Sequence, residues 1–388
     1  MDASRFIAGR LRFNGLIATV AIAVSFLVMI LAVTISSGFR HSVRDGVASV
    51  AGDIRIAAIG TDPLSGDGSV PSRLSVGEKI LSVPGVRSIS PAVFRAGIVK
   101  NGEVIHGVLL KGVPGRDTSS ALGVSIPARL GSIAGLAPGD GMTVYFIGEK
   151  VRARKFHVDG FSQVRFEVDK NLVVEAGIDD MRRLNGWDEG RASVLEVSVD
   201  DAFRTKAALE EIAGRIGTIL MLEGTEEEQG LLASSAVNTY PQLFDWLDLL
   251  DFNVVFLLVL MTLVAGFNMI SGLLILLFRN ISTIGILKTM GMTDRSISKV
   301  FLRASSNLVL KGMAIGNAVG LLFCLVQGTT HLIRLNPENY FVPYVPVHVN
   351  IPGIIAADVA AYAVIMLLLL IPSLFISTVD PAKTVRVH

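Results

Sequence analysis

Four stretches of this sequence are long enough and apolar enough to cross a lipid bilayer, and nothing else in it constrains the fold as much. Crossing the hydrocarbon core takes about 20 apolar residues in a helix. Leu16–Ile35 and Phe252–Phe278 contain no charge at all. Leu308–Ile333 is interrupted only by Lys311 and His331, and Ile351–Ile376 carries a single Asp358. A lipid-exposed backbone has no water to bond, so spans of this kind are helices. The first run exceeds the roughly 7 to 15 apolar residues of a secretory signal, so it is expected to stay on the mature protein.

Charge fixes the ends of these helices. Asp245, Asp248 and Asp251 precede the second run. Each would cost about 2.5–3.5 kcal/mol at the centre of a bilayer, so the membrane cannot begin before them. The helical pattern nevertheless starts near Pro241. The second helix is therefore expected to project from the membrane, with the three aspartates as a solvated face. Arg5, Arg10 and Arg12 precede the first run. Arg279, Lys288, Arg295, Lys299 and Arg303 lie between the second and third, and Lys383 and Arg386 follow the fourth. With four spans all three groups fall on one side, which the positive-inside rule makes the cytoplasm. Arg40 and Arg44, just after the first span, run against that count. The long segment between the first two spans is then extracytoplasmic. Pro372 is expected to kink the fourth span.

Composition excludes several classes of function. Hydrophobic residues make up 51% of the 388 residues and charged residues 18%. Lys plus Arg is 35 against Asp plus Glu at 34, so no basic excess is available for nucleic acid. The one cysteine, Cys324, permits no intrachain disulfide, and the six histidines show no metal-ligand spacing. No G-x-S-x-G, H-E-x-x-H, C-x-x-C or G-x-x-x-x-G-K-[ST] motif occurs. No catalytic or metal site is expected, and no P-loop for a nucleotide.

The segment between the first two spans reads as an α+β domain. Strands are expected from Asp53, across a hairpin turned by Asn101-Gly102, at Val144–Ile147 with Val151–Val158, and at Leu195–Val199. Ser75-Val-Gly-Glu78 has the form of a capping box, with the helix stopping at Val83-Pro84-Gly85. A second helix from about Asp201 places Leu209, Ile212 and Ile216 on one face. Glu223–Glu228 is expected to be a solvated loop. Ala18, Ala21 and Ser25 in the first span are small enough for close helix contact, as are Ala265, Asn268 and Gly272 in the second and Gly312, Gly316 and Gly320 in the third. Helix packing and direct contact with a substrate are both open to them.

Between the second and third spans lies Arg279-Asn-Ile-Ser-Thr-Ile-Gly-Ile-Leu-Lys-Thr-Met-Gly-Met-Thr-Asp-Arg-Ser-Ile297. It reads as a short amphipathic helix with Ile284, Leu287 and Gly291 on one face and Lys288 and Arg295 toward water. Gly285 and Gly291 remove side-chain bulk. The segment resembles the coupling-helix signature of the MacB/FtsX-type ABC permeases. The C-terminal Val379-Asp-Pro-Ala-Lys-Thr-Val-Arg386 and the N-terminal Arg5-Phe-Ile-Ala-Gly-Arg-Leu11 are similar to that family's ends. Pro241–Leu247, Phe267–Ser271, Gly316-Asn317, Leu335–Pro346, Arg154–Phe161 and Leu184–Trp187 resemble the lipoprotein-releasing LolC/LolE branch. Two departures stand out: Phe278 where the branch usually has Glu, and no glycine in Ser162–Asp169.

That resemblance implies a division of the chain. Residues 1–14 form an amphipathic cytoplasmic lead-in helix, 15–37 the first span and 38–240 a periplasmic α+β domain. Residues 241–278 form the second span with its periplasmic extension, 279–303 the cytoplasmic coupling segment and 304–333 the third span. A periplasmic loop at 334–350, the fourth span at 351–377 and a cytoplasmic tail at 378–388 complete an all-α membrane bundle with its inserted domain. The partners implied are a cytoplasmic ABC ATPase dimer that binds MgATP, a second permease subunit, membrane lipid, a triacylated lipoprotein substrate and a periplasmic carrier. This chain itself would hold no cofactor. Ile284, Gly285, Ile286, Leu287, Lys288, Met290 and Gly291 would couple to the ATPase. Ala18, Ala21, Ser25, Ala265, Asn268 and Gly272 would line a lipid cavity or pack helices. Phe161, Gln163, Arg165 and Phe166 would touch the carrier, or form an ordinary hairpin. An FtsX-like permease that activates a periplasmic hydrolase would share the same layout, and a membrane-anchored receptor would not need the coupling motif.

Overall fold

From Leu16 the chain runs as one unbroken helix to Ala51, well beyond the end of its apolar stretch. The computed structural model describes residues 16–63, 66, 68–102, 104–115, 122–147, 151–162, 172–336, 340 and 342–373. Its elements in chain order are α1 (Leu16–Ala51), β1 (Ile54–Ala58), β2 (Val70–Pro71), α2 (Gly77–Leu81), β3 (Val86–Asn101), β4 (Val104–Val113), β5 (Gly123–Ile126) and α3 (Ala128–Ala134). Then come β6 (Gly141–Phe146), β7 (Arg152–Phe161), β8 (Leu172–Gly177), α4 (Ile178–Asn185), β9 (Arg191–Ala192), β10 (Val194–Val199), α5 (Lys206–Glu223), α6 (Glu226–Gln229), β11 (Leu231–Ser235) and α7 (Ala236–Thr239). The last are α8 (Pro241–Arg279), α9 (Ile281–Thr289), α10 (Asp294–Thr330), α11 (Ile351–Leu368) and α12 (Leu370–Ser373). Among the described residues four helical segments are long and apolar enough to cross a membrane: α1, α8, α10 and Ile351–Ser373. The chain divides into two compact units, one of residues 41–246 with 335–343 and one of the remainder.

In the apolar unit, α1 and α10 meet at their backbones. A side chain at Gly312 would strike Ile22 and come within 3.1 Å of the Thr19 carbonyl. At Gly316 it would meet the Ala23 carbonyl and the Phe26 Cβ, and at Gly320 it would meet Ile30. Successive glycines four apart share a helix face, so α10 presents a bare backbone to α1 along three turns. A core of Ile22, Phe26, Met29, Ala265, Met269, Leu273, Leu276, Leu277, Phe301, Val309, Ala361 and Ile365 fills the centre. Two polar pairs lie in the spans: Ser306 with Tyr362 at 2.8 Å, and Asn317 donating to Asp358 at 2.5 Å. Asp251 accepts from Ser36 at 3.0 Å and pairs with Arg40, so it is tied to α1, whereas Asp245 and Asp248 are exposed. Pro372 has no N–H to offer the Leu368 carbonyl, and α11 ends at Leu368 with α12 starting two residues later.

In the other unit the sequence-level pattern of short strands becomes a nine-stranded sheet, in the order β11-β1-β10-β3-β4-β8-β5-β7-β6. β6 pairs again with β3, through Ile98–Tyr145 and Val99–Val144. The strands β3-β4-β8-β5-β7-β6 therefore close into a ring. Gly97 permits the closure, because a side chain there would meet Val144 and the Phe146 ring. Alternate residues fill the interior: Val99, Leu110, Val124, Val144, Phe146, Phe156, Val158 and Val174 are buried. β11, β1, β10 and β3 form an antiparallel sheet, with α5 packed on β11 through a buried face that includes Leu209, Ile212, Ile216 and Leu220.

Three local expectations are corrected. In the hairpin, Asn101 pairs with Val104 as the last residue of β3, so Gly102 with φ +58° opens the loop. Ser75 does not cap α2; its N–H and hydroxyl both go to the Glu228 carboxylate. Glu223–Glu228 is not a loop, since a capping box between Thr225 and Glu228 starts α6. Burial pushes the Glu228 carboxyl up, but the bonds from Ser75 and Thr225 outweigh it and hold the group below its ordinary value.

The end of α1 is fixed by charge. Gly52, with φ +72°, closes the helix by donating to the Ala48 carbonyl at 2.9 Å. The last carbonyls of a helix have no partner within it. Lys111, whose side chain is 4% exposed, donates to Ser49 O at 2.8 Å, to Val50 O at 3.0 Å and to Glu196 at 2.8 Å. One turn back, Arg204 pairs with Asp45 at 3.0 Å and with Asp53 at 3.1 Å. Burial raises the Asp53 carboxyl more than the Val199 N–H and Arg204 lower it. Burial likewise raises Glu196, against the lowering by Lys111.

Two variants probe these contacts. Gly316→Val should destabilise the protein by about 1–3 kcal/mol or abolish its accumulation, whereas Gly328→Ala, whose new methyl meets only Val347 at 3.8 Å, should be tolerated; thermal unfolding in detergent separates them. Lys111→Met leaves Glu196 buried without its cation and should cost about 3–5 kcal/mol near neutral pH. A carboxyl raised in the folded state favours folding below its unfolded pKa and loses that advantage as pH rises through the folded one. The loss should therefore shrink on acidification, and Lys111→Met with Glu196→Met should recover the part due to the unpaired carboxylate, but not the part due to the bare Ser49 and Val50 carbonyls, in the same unfolding measurement.

Candidate coupling corner

The turn between α8 and α10 is built from three consecutive local devices. α8 stops at Arg279, where the Asn280 N–H groups return to its last turn: the backbone to Leu276 O at 3.2 Å and Nδ2 to Leu276 O at 2.8 Å. α9 follows for nine residues and ends on a Schellman motif, in which Met292 donates to Leu287 O at 3.0 Å and Gly291 donates to Lys288 O at 3.0 Å. Gly291 holds φ +83°, a left-handed conformation that L side chains disfavour. Thr293 then caps α10, its hydroxyl accepting from the Ser296 N–H at 3.4 Å.

This corner is anchored on one side only. Ile284 is buried in the same core as Leu276, Leu277, Ile297 and Phe301, and Gly285 is buried beside it. Leu287 packs at the edge of that core. Ile286 and Met290, four residues apart, are 51% and 76% exposed, and Ser282, Thr283 and Thr289 share their outward face. A displacement applied to this face would reach the span core through Ile284, because packed side chains leave no slack.

Two expectations at the corner change. Lys288 does not face water: its side chain is 11% exposed and its Nζ pairs with Asp294 at 3.0 Å, tying the end of α9 to the first turn of α10. Arg295 is exposed. Gly291 matters for its conformation and not for bulk, since an added Cβ would meet nothing within 4 Å. Asn280, Thr293 and Asp294 also belong to the corner, and of these only Thr293-Asp294 carries a local sequence signal, that of a helix start.

The remaining site residues fall in different surroundings. Ser25 is buried and bonds back to Ala21 O at 3.2 Å, while Ala18 and Ala21 are half-buried. The backbone contact with α10 uses Thr19, Ile22, Ala23 and Phe26 instead. Ala265 and Gly272 are buried, and Asn268 is exposed on α8. Phe161 ends β7, half exposed, with its ring where a side chain on Gly131 would sit. Gln163, Arg165 and Phe166 lie outside the described residues. No cluster of three or more His, Cys, Asp or Glu side chains able to hold a metal occurs among the described residues.

The chain is similar in sequence to permeases. The FtsX-like permease C-terminal family matches residues 255–381, a stretch that includes most of α8 and the whole corner. The lipoprotein-releasing system transmembrane protein LolC of Xylella fastidiosa is 21% identical, over 97% of this chain and 95% of its own length. LolE of Haemophilus influenzae is 22% identical over 95% of this chain and 93% of its own. LolC of Neisseria meningitidis serogroup B is 24% identical over 97% and 95%. Among solved structures, the periplasmic region of MacB from Actinobacillus actinomycetemcomitans matches 50% of this chain and 92% of its own, at 15% identity and a TM-score of 0.30.

The corner predicts its own sensitivity. Gly291→Ala should cost about 1–2 kcal/mol locally, because the left-handed conformation is retained only with strain. Gly291→Asn should cost less, since Asn tolerates that conformation. Amide hydrogen exchange across residues 287–294 would show faster opening in the alanine variant and an intermediate rate in the asparagine one.

Proposed function

We propose that this chain, a permease of the LolC/LolE type, is the transmembrane subunit of an ABC transporter that draws lipoproteins from the inner membrane and passes them to a periplasmic carrier. The observation that carries the reading is the corner at residues 280–294. It presents an apolar pair, Ile286 and Met290, on a short helix whose opposite face, through Ile284, belongs to the core of the spans. A cytoplasmic ATPase pair that closes on MgATP would press on that face.

Orientation follows from charge. Arg279, Lys288, Arg295, Lys299 and Arg303 around the corner support a cytoplasmic position for it by the positive-inside rule. Residues 41–246 then stand in the periplasm. α1 and α8 each continue without a break from their apolar stretch into residues of that unit. A continuous helix is the stiffest connector a chain has, so both are suited to carry displacement outward.

The chemistry of the cargo explains the need for ATP. Moving an acyl chain out of lipid into water costs about 0.8 kcal/mol per CH₂. Three chains exceed thermal energy many times over, so they must pass between apolar surfaces in a driven step. Ala18, Ala21, Ser25, Ala265, Asn268 and Gly272 are the proposed cavity wall, and Phe161 with Gln163, Arg165 and Phe166 the proposed carrier contact. A second permease copy or paralogue would complete the cavity.

The test replaces Ile286 and Met290 by Glu, which leaves Ile284 and the span core intact. The doubly substituted chain should reach the membrane at normal levels, lose its co-purifying ATPase and stop releasing lipoprotein. Normal ATPase retention and release in that variant would remove the coupling assignment. Purification of the intact complex with a periplasmic hydrolase bound, and no acylated protein, would replace lipoprotein release with the activating role of FtsX-like permeases.

A further inference from the structure

The cytoplasmic half of α10 carries a row of cations that the corner does not use. Arg295, Lys299, Arg303 and Lys311 are all exposed, and they recur at multiples of four residues, with Asn307, also exposed, filling the one gap. Residues four apart lie on neighbouring positions of one helix face and about 6 Å apart along the axis. The row therefore extends about 24 Å. It lies away from the buried face of Phe301, Ser305, Val309 and Gly312. Arg295, Lys299 and Lys311 make no ion pair among the described residues, and the one acid at this end of α10, Asp294, is held by Lys288.

The depth of the row decides what it fits. Lys311 lies inside the apolar stretch, with Leu310 and Ile315 exposed beside it. Arg295, at the other end, sits in the polar corner. A soluble acidic protein could reach the residues near Arg295 but not a lysine flanked by lipid-facing side chains. A lysine there extends its ammonium along its own stem to the headgroup level. We propose that Lys299, Arg303 and Lys311 form a binding stripe for the phosphates of anionic phospholipids in the leaflet adjoining the corner, with acyl chains lying along Leu310 and Ile315. This rests on α10 crossing a bilayer and not on the identity of the cargo.

Anionic headgroups attract each nearby cation, and a loss of roughly five-fold in affinity is expected for each one removed. The experiment uses the full complex purified with its partners and placed in nanodiscs of phosphatidylcholine with increasing phosphatidylglycerol. Native mass spectrometry then counts the lipids retained. The wild-type complex should retain phosphatidylglycerol in preference to phosphatidylcholine. Lys299→Gln with Arg303→Gln and Lys311→Gln should lower that retention at least ten-fold. Lys100→Gln with Arg152→Gln and Arg154→Gln, an equal loss of charge in residues 41–246, should not. Equal retention of the two lipids by the wild type would overturn the site without reliance on any variant. Unchanged retention in the α10 variant would overturn it too, as would crosslinking of position 303 to the ATPase alone. A complex that binds the anionic lipid here yet releases no lipoprotein would keep this site and remove the transport reading.

Discussion

Helices in lipid are not driven together by apolar burial, because the lipid tails are as apolar as the side chains. What holds the span bundle is close approach, and α10 achieves it with the bare face of Gly312, Gly316 and Gly320 against Thr19, Ala23 and Phe26. The rest of the apolar unit is arranged on that contact. With α10 seated on α1, Phe301 and Val309 reach the common core, and Ile284 closes the core from the corner. The corner is therefore neither a free loop nor an independent helix. Its Schellman turn, its threonine cap and the Lys288–Asp294 pair make it a stiff extension of the bundle.

The unit of residues 41–246 depends on a different kind of contact. Its sheet and ring are apolar inside, but the end of α1 is held by buried charge. Lys111 replaces the missing intrahelical partners of Ser49 and Val50, Glu196 balances Lys111, and Arg204 reaches Asp45 and Asp53. Arg55 lies over the Phe94 ring at 5.6 Å, and the Lys111 ammonium over the same ring at 5.7 Å. Hydrophobic side chains of equal size could fill this space, but they could not satisfy helix carbonyls. The charges fix where the helix stops.

Much of this was legible in residues read singly or in short windows. Run length marked the four spans, and the three aspartates near Pro241 marked a helix longer than its membrane stretch. Alternation marked the strand starting at Asp53, and short apolar runs marked those at 144–147, 151–158 and 195–199, each inside or overlapping an observed strand. The ring was not legible, because β4–β8 and β5–β7 are parallel pairs between distant segments and leave no local signal. Nor was the length of α1, since Arg40, His41, Arg44 and Asp45 look like the surface of a soluble domain until Arg204 is seen beside Asp45. The two capping-box patterns show the limit well. Ser75–Glu78 and Thr225–Glu228 have the same form, and only the second caps a helix, because Glu228 also takes both donors of Ser75. At the corner, the lysine drawn toward water by its charge was instead drawn inward by Asp294.

The Lys111 contact also sets an order in time. A ribosome delivers α1 first, and its last carbonyls then stand bare, since Lys111 follows 60 residues later and Glu196 later still. The ring cannot close before β8 is made, and the antiparallel sheet cannot close before β11. Until α8 is made, α1 is the one long apolar helix present among the four, with an unfinished domain behind it. Only when residues 231–235 have emerged can that domain lock, and α8 follows almost at once. The second long apolar helix thus follows just as the domain after the first can lock.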